Sequence, residues 1–325
     1  MKKVIIPIIC VLILALAFYK ADDISTLIAN KVTSSPNLVI AEKNEYAKNT
    51  SYQFVQLTDS FIPYSYQDLK NIFYTTINNG WESFTFYCPS EYEKCLEDAE
   101  NLRNDKLTLT YINDFVHPYN SFASIKTSVA SNGEIIIMPN YLYTKEQIKQ
   151  IDDKVNDIIT KCPLLNTLEI DYSKTKEIVK YFHDYIINNA KYDVIRGQDG
   201  DSPYQSHIAY GPLLEGKAIC NGYADAMAII LTKIGIDNFK IATPAENISD
   251  SEYGHIWNAV YVNGQWLHLD LTWDDPIASD GNDYIFYKYF LIDTDKLKKA
   301  DNGSVKMEEH NFNDAVYLEF NPLMK

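Results

Sequence analysis

The dipeptide Asn263-Gly264 is the sequence feature that most constrains the fold, because it lies between two runs in which apolar and polar residues alternate. Asn-Gly between such runs is the strongest short signal for a two-residue β-hairpin turn. We expect Val262 to face Gln265 across this turn. That pairing fixes the register of the whole hairpin, because a slip of one residue would move every side chain to the other face.

One face of this hairpin is predicted to be core and the other to carry polar groups. The apolar face holds Ile256, Val260, Val262, Leu267, Leu269 and Leu271. On the other face, His255 and Asp270 become diagonal neighbours, with Cα atoms roughly 7–8 Å apart and side chains within reach. His268 lies on that face as well, nearer the turn, and is a rival base. An aspartate inside a strand is unusual, which favours a functional role for Asp270.

The segment AICNGYADA, residues 218–226, precedes an apolar helical run and places Cys220 in the first turn of a helix. The helix dipole favours a thiolate there. An imidazole can take the thiol proton, and an acid can fix the imidazole. The order Cys220, His255, Asp270 therefore predicts nucleophile, base and orienting acid, with the Cys220 N–H as an oxyanion donor. Gly222 would let other backbone approach this turn closely.

Structural interpretations compete with this hypothesis. Taken alone, Cys220 is more often a buried core cysteine, and His255 could be a hydrogen-bonded strand histidine. The coincidence of three matched polar groups favours catalysis. A metal-dependent enzyme is a further alternative, based on the acidic loop that holds Asp274, Asp275, Asp280 and Asp283. The loop spacing is not that of an EF-hand, so solvated turn residues are favoured, and no metal or cofactor is expected.

These residues resemble the transglutaminase-like superfamily, in particular its bacterial members close to the kyphoscoliosis-peptidase and cytokinesis-protein group. The resemblance rests on AYGPLLEGKAICNGYADA (209–226), GHIWNAVYVNGQWLHLD (254–270) and LTWDDP (271–276). It implies a papain-like core in which a catalytic helix packs on an antiparallel sheet. It also implies a cysteine hydrolase or acyltransferase that cleaves peptide or isopeptide amide bonds through a thioester acyl-enzyme.

The resemblance leaves the second oxyanion donor unassigned. Tissue transglutaminases place a tryptophan upstream of the cysteine, whereas no tryptophan lies between Trp81 and Trp257 in this chain. Tyr210 and His207 are candidates for the oxyanion donor, and Trp257 for a substrate contact. The departure favours hydrolysis over cross-linking. The alternative function is a catalytically silent fold that serves as a cell-surface binding or scaffolding module.

The N-terminus predicts export. Residues 4–18 form an unbroken apolar run, shorter than the roughly 20 residues of a membrane-spanning helix. Residues 1–21 are therefore predicted to be a signal peptide or a signal anchor. The protein is expected to be secreted or at the cell surface, with a possible membrane anchor through residues 4–19.

The cysteine pattern fits an exported protein. Cys88 ends a strand-like run, and Cys95 is predicted in the second turn of a helix that opens at Ser90. These two cysteines are predicted to form a disulfide. The chain has no Cys-x-x-Cys pair or Cys/His cluster at zinc spacing, and Cys162 is predicted to be buried.

The fold class is predicted to be α+β, in two domains. Residues 22–50 are expected to be a linker or arm, 51–165 a smaller α+β domain with a strand at 51–57, and 166–325 the catalytic domain. A net charge of −15 argues against nucleic acid as a partner. The expected partner is a peptide, protein or cell-wall peptide substrate, with membrane contact only through an uncleaved N-terminal segment.

Overall fold

The structure is a computed structural model that describes residues 38–165, 171–198, 200–243, 254–277, 282, 284–301 and 309–321. Residues 41–325 group into one compact unit, and residues 1–40 into another. The predicted signal segment 1–21 lies outside the described residues. No helix of the described residues combines the length and the apolar character that crossing a membrane requires.

The N-terminal part of the large unit combines helices with a three-stranded sheet. In chain order, its elements are α1 (Tyr66–Asn78), β1 (Phe84–Tyr87), α2 (Cys95–Asn104), α3 (Lys106–Asp114), β2 (Phe122–Val129), β3 (Glu134–Tyr141) and α4 (Lys145–Thr160). The sheet order is β1-β3-β2, and both pairings are antiparallel. β2 and β3 form a hairpin, with Gly133 at a φ of 92° in its turn. Ser65 and Thr144 cap α1 and α4.

The predicted strand at 51–57 is wrong. The backbone bends there, and the Tyr52 N–H donates to the Val55 carbonyl at 2.8 Å. The Tyr52 ring packs on Phe115 and Phe239, with ring centroids 4.7 and 5.5 Å away. The alternation of apolar residues in this segment therefore reflects packing onto an aromatic cluster and not a paired strand.

The helix that was predicted to open at Ser90 begins only at Cys95. The Ser90 hydroxyl hydrogen-bonds to the Glu91 carboxylate at 3.1 Å and does not cap the helix. Cys95 is nevertheless in a disulfide with Cys88, and their Cα atoms are 5.7 Å apart. The disulfide closes the short connection between β1 and α2.

The remaining part of the unit packs a helix on an antiparallel sheet. Its elements are α5 (Thr175–Asn189), β4 (Lys191–Tyr192), α6 (Val194–Gly197), a π-helix (Gly211–Glu215), β5 (Lys217–Ala218), α7 (Cys220–Lys233), β6 (Asn238–Thr243), β7 (His255–Val262), β8 (Gln265–Leu269), α8 (Leu271–Asp274) and α9 (Thr294–Asp301). The long helix α7 packs on the sheet β6-β7-β8, and β4 pairs with β5 in parallel. The predicted α+β class, with a helix on an antiparallel sheet, is confirmed.

The register of the β7–β8 hairpin is confirmed. Val262 pairs with Gln265, and the same register continues to Asn258 and Leu269. Asn263 and Gly264 both have positive φ, at 51° and 85°, as a two-residue hairpin turn requires.

The polar face of the hairpin carries His255 as predicted, and residues 309–321 cover it. Phe320 stacks on His268 with ring centroids 4.1 Å apart, and Phe312 lies against Trp257 at 6.2 Å. The Tyr317 hydroxyl accepts a hydrogen bond from the Ala242 N–H at 2.8 Å. Both faces of β7 are therefore packed, and the polar groups on it are enclosed by protein.

Buried polar contacts join the N-terminal part to α7. The Tyr143 hydroxyl donates to Asp225 Oδ2 at 2.6 Å, and Lys240 Nζ reaches Asp225 Oδ1 at 2.8 Å. The described part of the predicted linker also packs on the fold, since Asn44 Nδ2 donates to Asn120 Oδ1 at 2.7 Å. The two predicted domains thus share one packed unit, which holds α7 in place.

Candidate active site

Cys220 lies at the first position of α7. The preceding Ile219 is extended, with φ −106° and ψ 179°, and no side chain caps the helix. The first N–H groups of a helix have no partner within the helix, so the Cys220 end of α7 can donate to a negative group. The Cys220 thiol is free and half-buried.

Backbone from residues 206–208 crosses the start of α7 and fixes it. A Cβ on Gly222 would lie 2.2 Å from the Ser206 carbonyl oxygen, so only glycine fits there. The Ile219 N–H donates to the same oxygen at 2.9 Å. Asn221 Nδ2 donates to the His207 carbonyl at 2.7 Å. The predicted close approach at Gly222 is confirmed.

His255 and Asp270 are in direct contact. His255 Nε2 lies 2.6 Å from Asp270 Oδ2, and both side chains are buried. Asp270 is also the N-cap of α8, since its Oδ1 accepts from the N–H groups of Thr272 at 2.8 Å and Trp273 at 3.2 Å. One carboxylate oxygen therefore anchors a helix, and the other faces the histidine.

The electrostatics of the pair favour the charged forms. Burial alone would raise the pKa of Asp270, but the charges and hydrogen bonds of His255 and His310 outweigh it and hold the pKa well below its usual range. An ionised carboxylate only accepts hydrogen bonds, so His255 Nε2 carries a proton. Nδ1 is then the ring nitrogen that remains for Cys220.

The pKa of His255 is the result of opposing effects. Burial lowers it, but the charge and hydrogen bond of Asp270, followed by those of Cys220, raise it well above its usual value. The structure thus brings Cys220, His255 and Asp270 together in the predicted order. A cysteine beside a histidine of raised pKa can exist as a thiolate–imidazolium pair.

His310 is a fourth member of this cluster that sequence reasoning missed. Its Nε2 lies 2.8 Å from Asp270 Oδ2, the oxygen that also faces His255. The His310 ring stacks on Tyr289 at 4.9 Å and meets Trp257 edge-on at 4.8 Å. No local pattern marks His310, because it is 40 residues from Asp270 in sequence and outside the hairpin.

The side chains of His255, Asp270 and His310 each offer an atom that could bind a metal ion. Their ligand atoms lie within 4.8 Å of one another. The same atoms form the two short hydrogen bonds described above, and an ion would have to displace both. Hydrogen bonding therefore accounts for the arrangement without a metal.

The rival base His268 does not take part. It is fully buried, and burial lowers its pKa to about 3. Its Nδ1 accepts from Trp257 Nε1 at 3.1 Å, and its Nε2 lies 3.1 Å from the Thr294 hydroxyl. His268 is a neutral core histidine that supports Trp257.

The residues proposed around the oxyanion lie in different places. Trp257 is 1% exposed and stacks on His255 at 5.7 Å, so it supports the imidazole and cannot contact substrate as predicted. The Tyr210 hydroxyl donates to Gln150 Oε1 at 2.7 Å, on α4. His207 contacts α7 through its carbonyl, and burial, followed by the charge of Arg196, lowers the pKa of its side chain.

Tyr192 is a second residue that the sequence did not identify. It pairs with Ala218 in the parallel β4–β5 ladder, two residues before Cys220. Burial, followed by the charge of Cys220, raises the pKa of Tyr192 to about 12, which places its hydroxyl in the field of the thiol. Among the residues that the structure describes, this hydroxyl has no hydrogen-bond partner. The short β4–β5 pairing offers no periodic pattern that could have revealed it.

The acidic loop is not a solvated turn over its described part. Asp274 is fully buried and lies 3.3 Å from His183 Nε2. Asp275 is buried as well and binds Lys191 Nζ at 3.1 Å and the Tyr223 hydroxyl. Both carboxylates thus have protein partners, which leaves no role for them in the alternative calcium loop. Asp280 and Asp283 lie outside the described residues.

Comparison with known proteins gives a family for part of the chain. Residues 166–271 match the family model of the transglutaminase-like superfamily. The kyphoscoliosis peptidase of Homo sapiens is 22% identical over 143 residues, which cover 41% of this chain and 21% of that protein. The chain therefore spans about a fifth of this relative. A crystal structure of a TGase aligns with a TM-score of 0.33 and 15% identity, over 50% of this chain and 48% of that one.

Proposed function

We propose that this protein, whose residues 166–271 match the family model of the transglutaminase-like superfamily, is a cysteine-dependent hydrolase or acyltransferase of peptide or isopeptide amide bonds. The contact of His255 with Asp270, at 2.6 Å beside Cys220, carries the proposal. A binding module has no need for a free thiol, an imidazole and an ionised carboxylate aligned in this way.

The arrangement supports a two-step reaction. The Cys220 thiolate adds to the amide carbonyl carbon, and a carbon–sulfur bond forms. The carbon–nitrogen bond then breaks as His255 Nδ1 gives its proton to the departing amine. Next, a water molecule loses a proton to His255 and attacks the thioester, which releases a carboxylic acid and restores the thiolate. An amine in place of water would give transfer.

Two donors are proposed for the oxyanion that forms during each step. The backbone N–H of Cys220 is available at the uncapped start of α7. The Tyr192 hydroxyl is the second proposed donor, because Tyr192 pairs with Ala218 two residues before Cys220, the charge of Cys220 acts on its pKa, and its hydroxyl lacks a partner among the described residues. This assignment replaces Tyr210, whose hydroxyl is bound to Gln150.

Location outside the cytosol is part of the proposal. It is supported by the apolar run at residues 4–18 and by the disulfide between Cys88 and Cys95. Disulfides persist in oxidising compartments. Surface proteins and cell-wall peptides are therefore the substrates that we propose.

The test is to incubate the protein in ¹⁸O-labelled water with a peptide pool that includes isopeptide-linked peptides. Hydrolysis by the proposed route places one ¹⁸O atom in each new carboxyl group, which mass spectrometry detects. Adding a primary amine distinguishes transfer from hydrolysis. Cys220→Ala should abolish all products without changing the folded state. Equal product from wild type and Cys220→Ala would contradict the proposal.

A further inference from the structure

Asp270 accepts an unusual number of hydrogen bonds for a single buried carboxylate. Oδ1 binds the Thr272 and Trp273 N–H groups, and Oδ2 faces two imidazoles, His255 at 2.6 Å and His310 at 2.8 Å. Since the carboxylate is ionised, both imidazole nitrogens must be donors. His310 is a donor through Nε2 in this arrangement whether or not its ring is charged.

His310 is packed on two sides by aromatic rings, which orient that hydrogen bond. Its side chain is buried, and its ring lies between Tyr289, which it stacks on, and Trp257, which it meets edge-on. A backbone hydrogen bond also joins Tyr289, on which His310 stacks, to Asp270: the Asp270 N–H donates to the Tyr289 carbonyl at 3.2 Å. His310 also lies beyond the end of the family match at residue 271.

We propose that His310 is a positioning residue that holds the Asp270 carboxylate against His255 and takes a share of its negative charge. When two imidazoles donate hydrogen bonds to the same carboxylate oxygen, each bond is weaker than a single one would be, and the carboxylate raises the pKa of each imidazole less. His310 thereby limits how basic His255 becomes. An imidazole that is too basic would keep its proton and release it poorly to the departing amine.

Several titratable groups surround His310 and enter its pH dependence. His255 on β7 and Asp270 at the start of α8 contact it directly. Tyr289 stacks on it, His268 on β8 interacts with it electrostatically, and Glu309 precedes it in the chain. Because burial keeps His268 neutral, His255 and Asp270 are the charged groups that the hydrogen bond of His310 affects most directly.

The test is an NMR titration of the imidazole C–H signals in the full-length protein, which contains six histidines. His255→Ala assigns the His255 signal. His310→Phe keeps a ring on Tyr289 but loses the donor, so the pKa of His255 should rise above its wild-type value. His310→Gln places an amide N–H where Nε2 was and should restore the wild-type titration in part. His268→Phe removes another buried imidazole without contact to Asp270 and is the control for disturbed packing at Trp257, so its effect on the titration of His255 should be smaller than that of His310→Phe.

Cys220 alkylation by iodoacetamide gives a second readout of the same effect. In His310→Phe the thiolate should persist to lower pH than in wild type, because a more basic His255 stabilises it. A merely structural role would lower the melting temperature without this shift. If His310→Phe does not fold, His310→Asn is the second donor-deleted variant, since its shorter amide ends before the Nε2 position.

This inference rests on the proposed function, but the two fail in different ways. Ordinary thiol behaviour of Cys220 in wild type would contradict the proposed function. Suppose that Cys220 of the wild type is alkylated well below the free-thiol pKa, but that the His255 titration is unchanged in His310→Phe or His310→Asn. That result would overturn the role of His310 alone. A wild-type titration that a chelator alters would instead indicate a metal between these residues, and would also overturn it.

Discussion

Two buried aspartates, one turn apart in α8, each face a histidine, yet only one of these pairs faces a thiol. Asp270 Oδ2 lies 2.6 Å from His255 Nε2 in a hydrogen bond. Asp274 Oδ2 lies 3.3 Å from His183 Nε2, and neither atom is in hydrogen-bond geometry. The other nitrogen of His183 binds Asp184 at 2.9 Å on the same helix, α5.

The difference between the two pairs lies in the donors that surround each carboxylate. Four N–H groups bind Asp270, and against the effect of burial the two imidazoles among them, His255 and His310, hold its pKa well below the usual range. Burial raises the pKa of Asp274, and the nearby His183 imidazole and the hydrogen bond from the Tyr289 N–H do not cancel that effect. A buried His–Asp pair is therefore not a catalytic site by itself. Catalysis also needs a carboxylate that stays ionised and a nucleophile next to the other nitrogen of the imidazole.

Of the substitutions that test this comparison, Asp270→Asn should lower the rate of hydrolysis the most. The amide cannot serve as a charged acceptor for both imidazoles, and His255 loses its fixed tautomer. We expect the rate of the ¹⁸O-detected hydrolysis to fall by about 10⁴-fold with the fold retained. A rate close to that of wild type, measured on protein with an unchanged circular dichroism spectrum, would show that Asp270 is not the orienting acid.

Tyr192→Phe should lower the rate of hydrolysis by the next largest factor, and it should leave the contact between His255 and Asp270 unchanged. The variant keeps the ring beside Gly197 but removes the proposed oxyanion donor. Hydrolysis should slow by roughly 10²–10³-fold. Cys220 alkylation, which forms no oxyanion, should stay near its wild-type rate and serves as the internal control. An equal loss in both assays would mean that Tyr192 supports the thiol itself.

Asp274→Asn should have the smallest effect on reactivity. The carboxylate lies in a pair without a nucleophile, so its loss should cost about 1–3 kcal/mol of unfolding free energy through the buried contacts. Chemical denaturation measures that loss, and Cys220 alkylation should be close to that of wild type. A loss of reactivity comparable with that of Asp270→Asn would remove the distinction between the two pairs.

The sequence predicted those parts of the site that local structure determines. The turn at Asn263-Gly264 sets the β7–β8 register, which places His255 near Asp270, and the helix start places Cys220. Each of these features depends on residues close together in the chain. That is why their juxtaposition could be predicted from periodicity and turn chemistry.

The parts that the sequence did not predict depend on long-range packing. His310 reaches Asp270 only because residues 309–321 fold over the hairpin, and Tyr192 is placed beside Ala218, near the start of α7, by a two-residue parallel pairing. The strand predicted at 51–57 failed for a related reason. Its alternation is real, but Tyr52 packs against rings from elsewhere in the chain, and no strand of the described residues pairs with this segment.

The most direct test of the central claim is the pH dependence of Cys220 alkylation by iodoacetamide, with Cys220→Ala and His255→Ala as controls. The attractions of Asp270 and Cys220 raise the pKa of His255, so the imidazolium persists above its ordinary range and is lost only as the pH rises past the raised value. We expect a Cys220-dependent reaction that continues well below the free-thiol pKa of about 8.5 and disappears in His255→Ala. A Cys220 that titrates as an ordinary thiol in both proteins would contradict it.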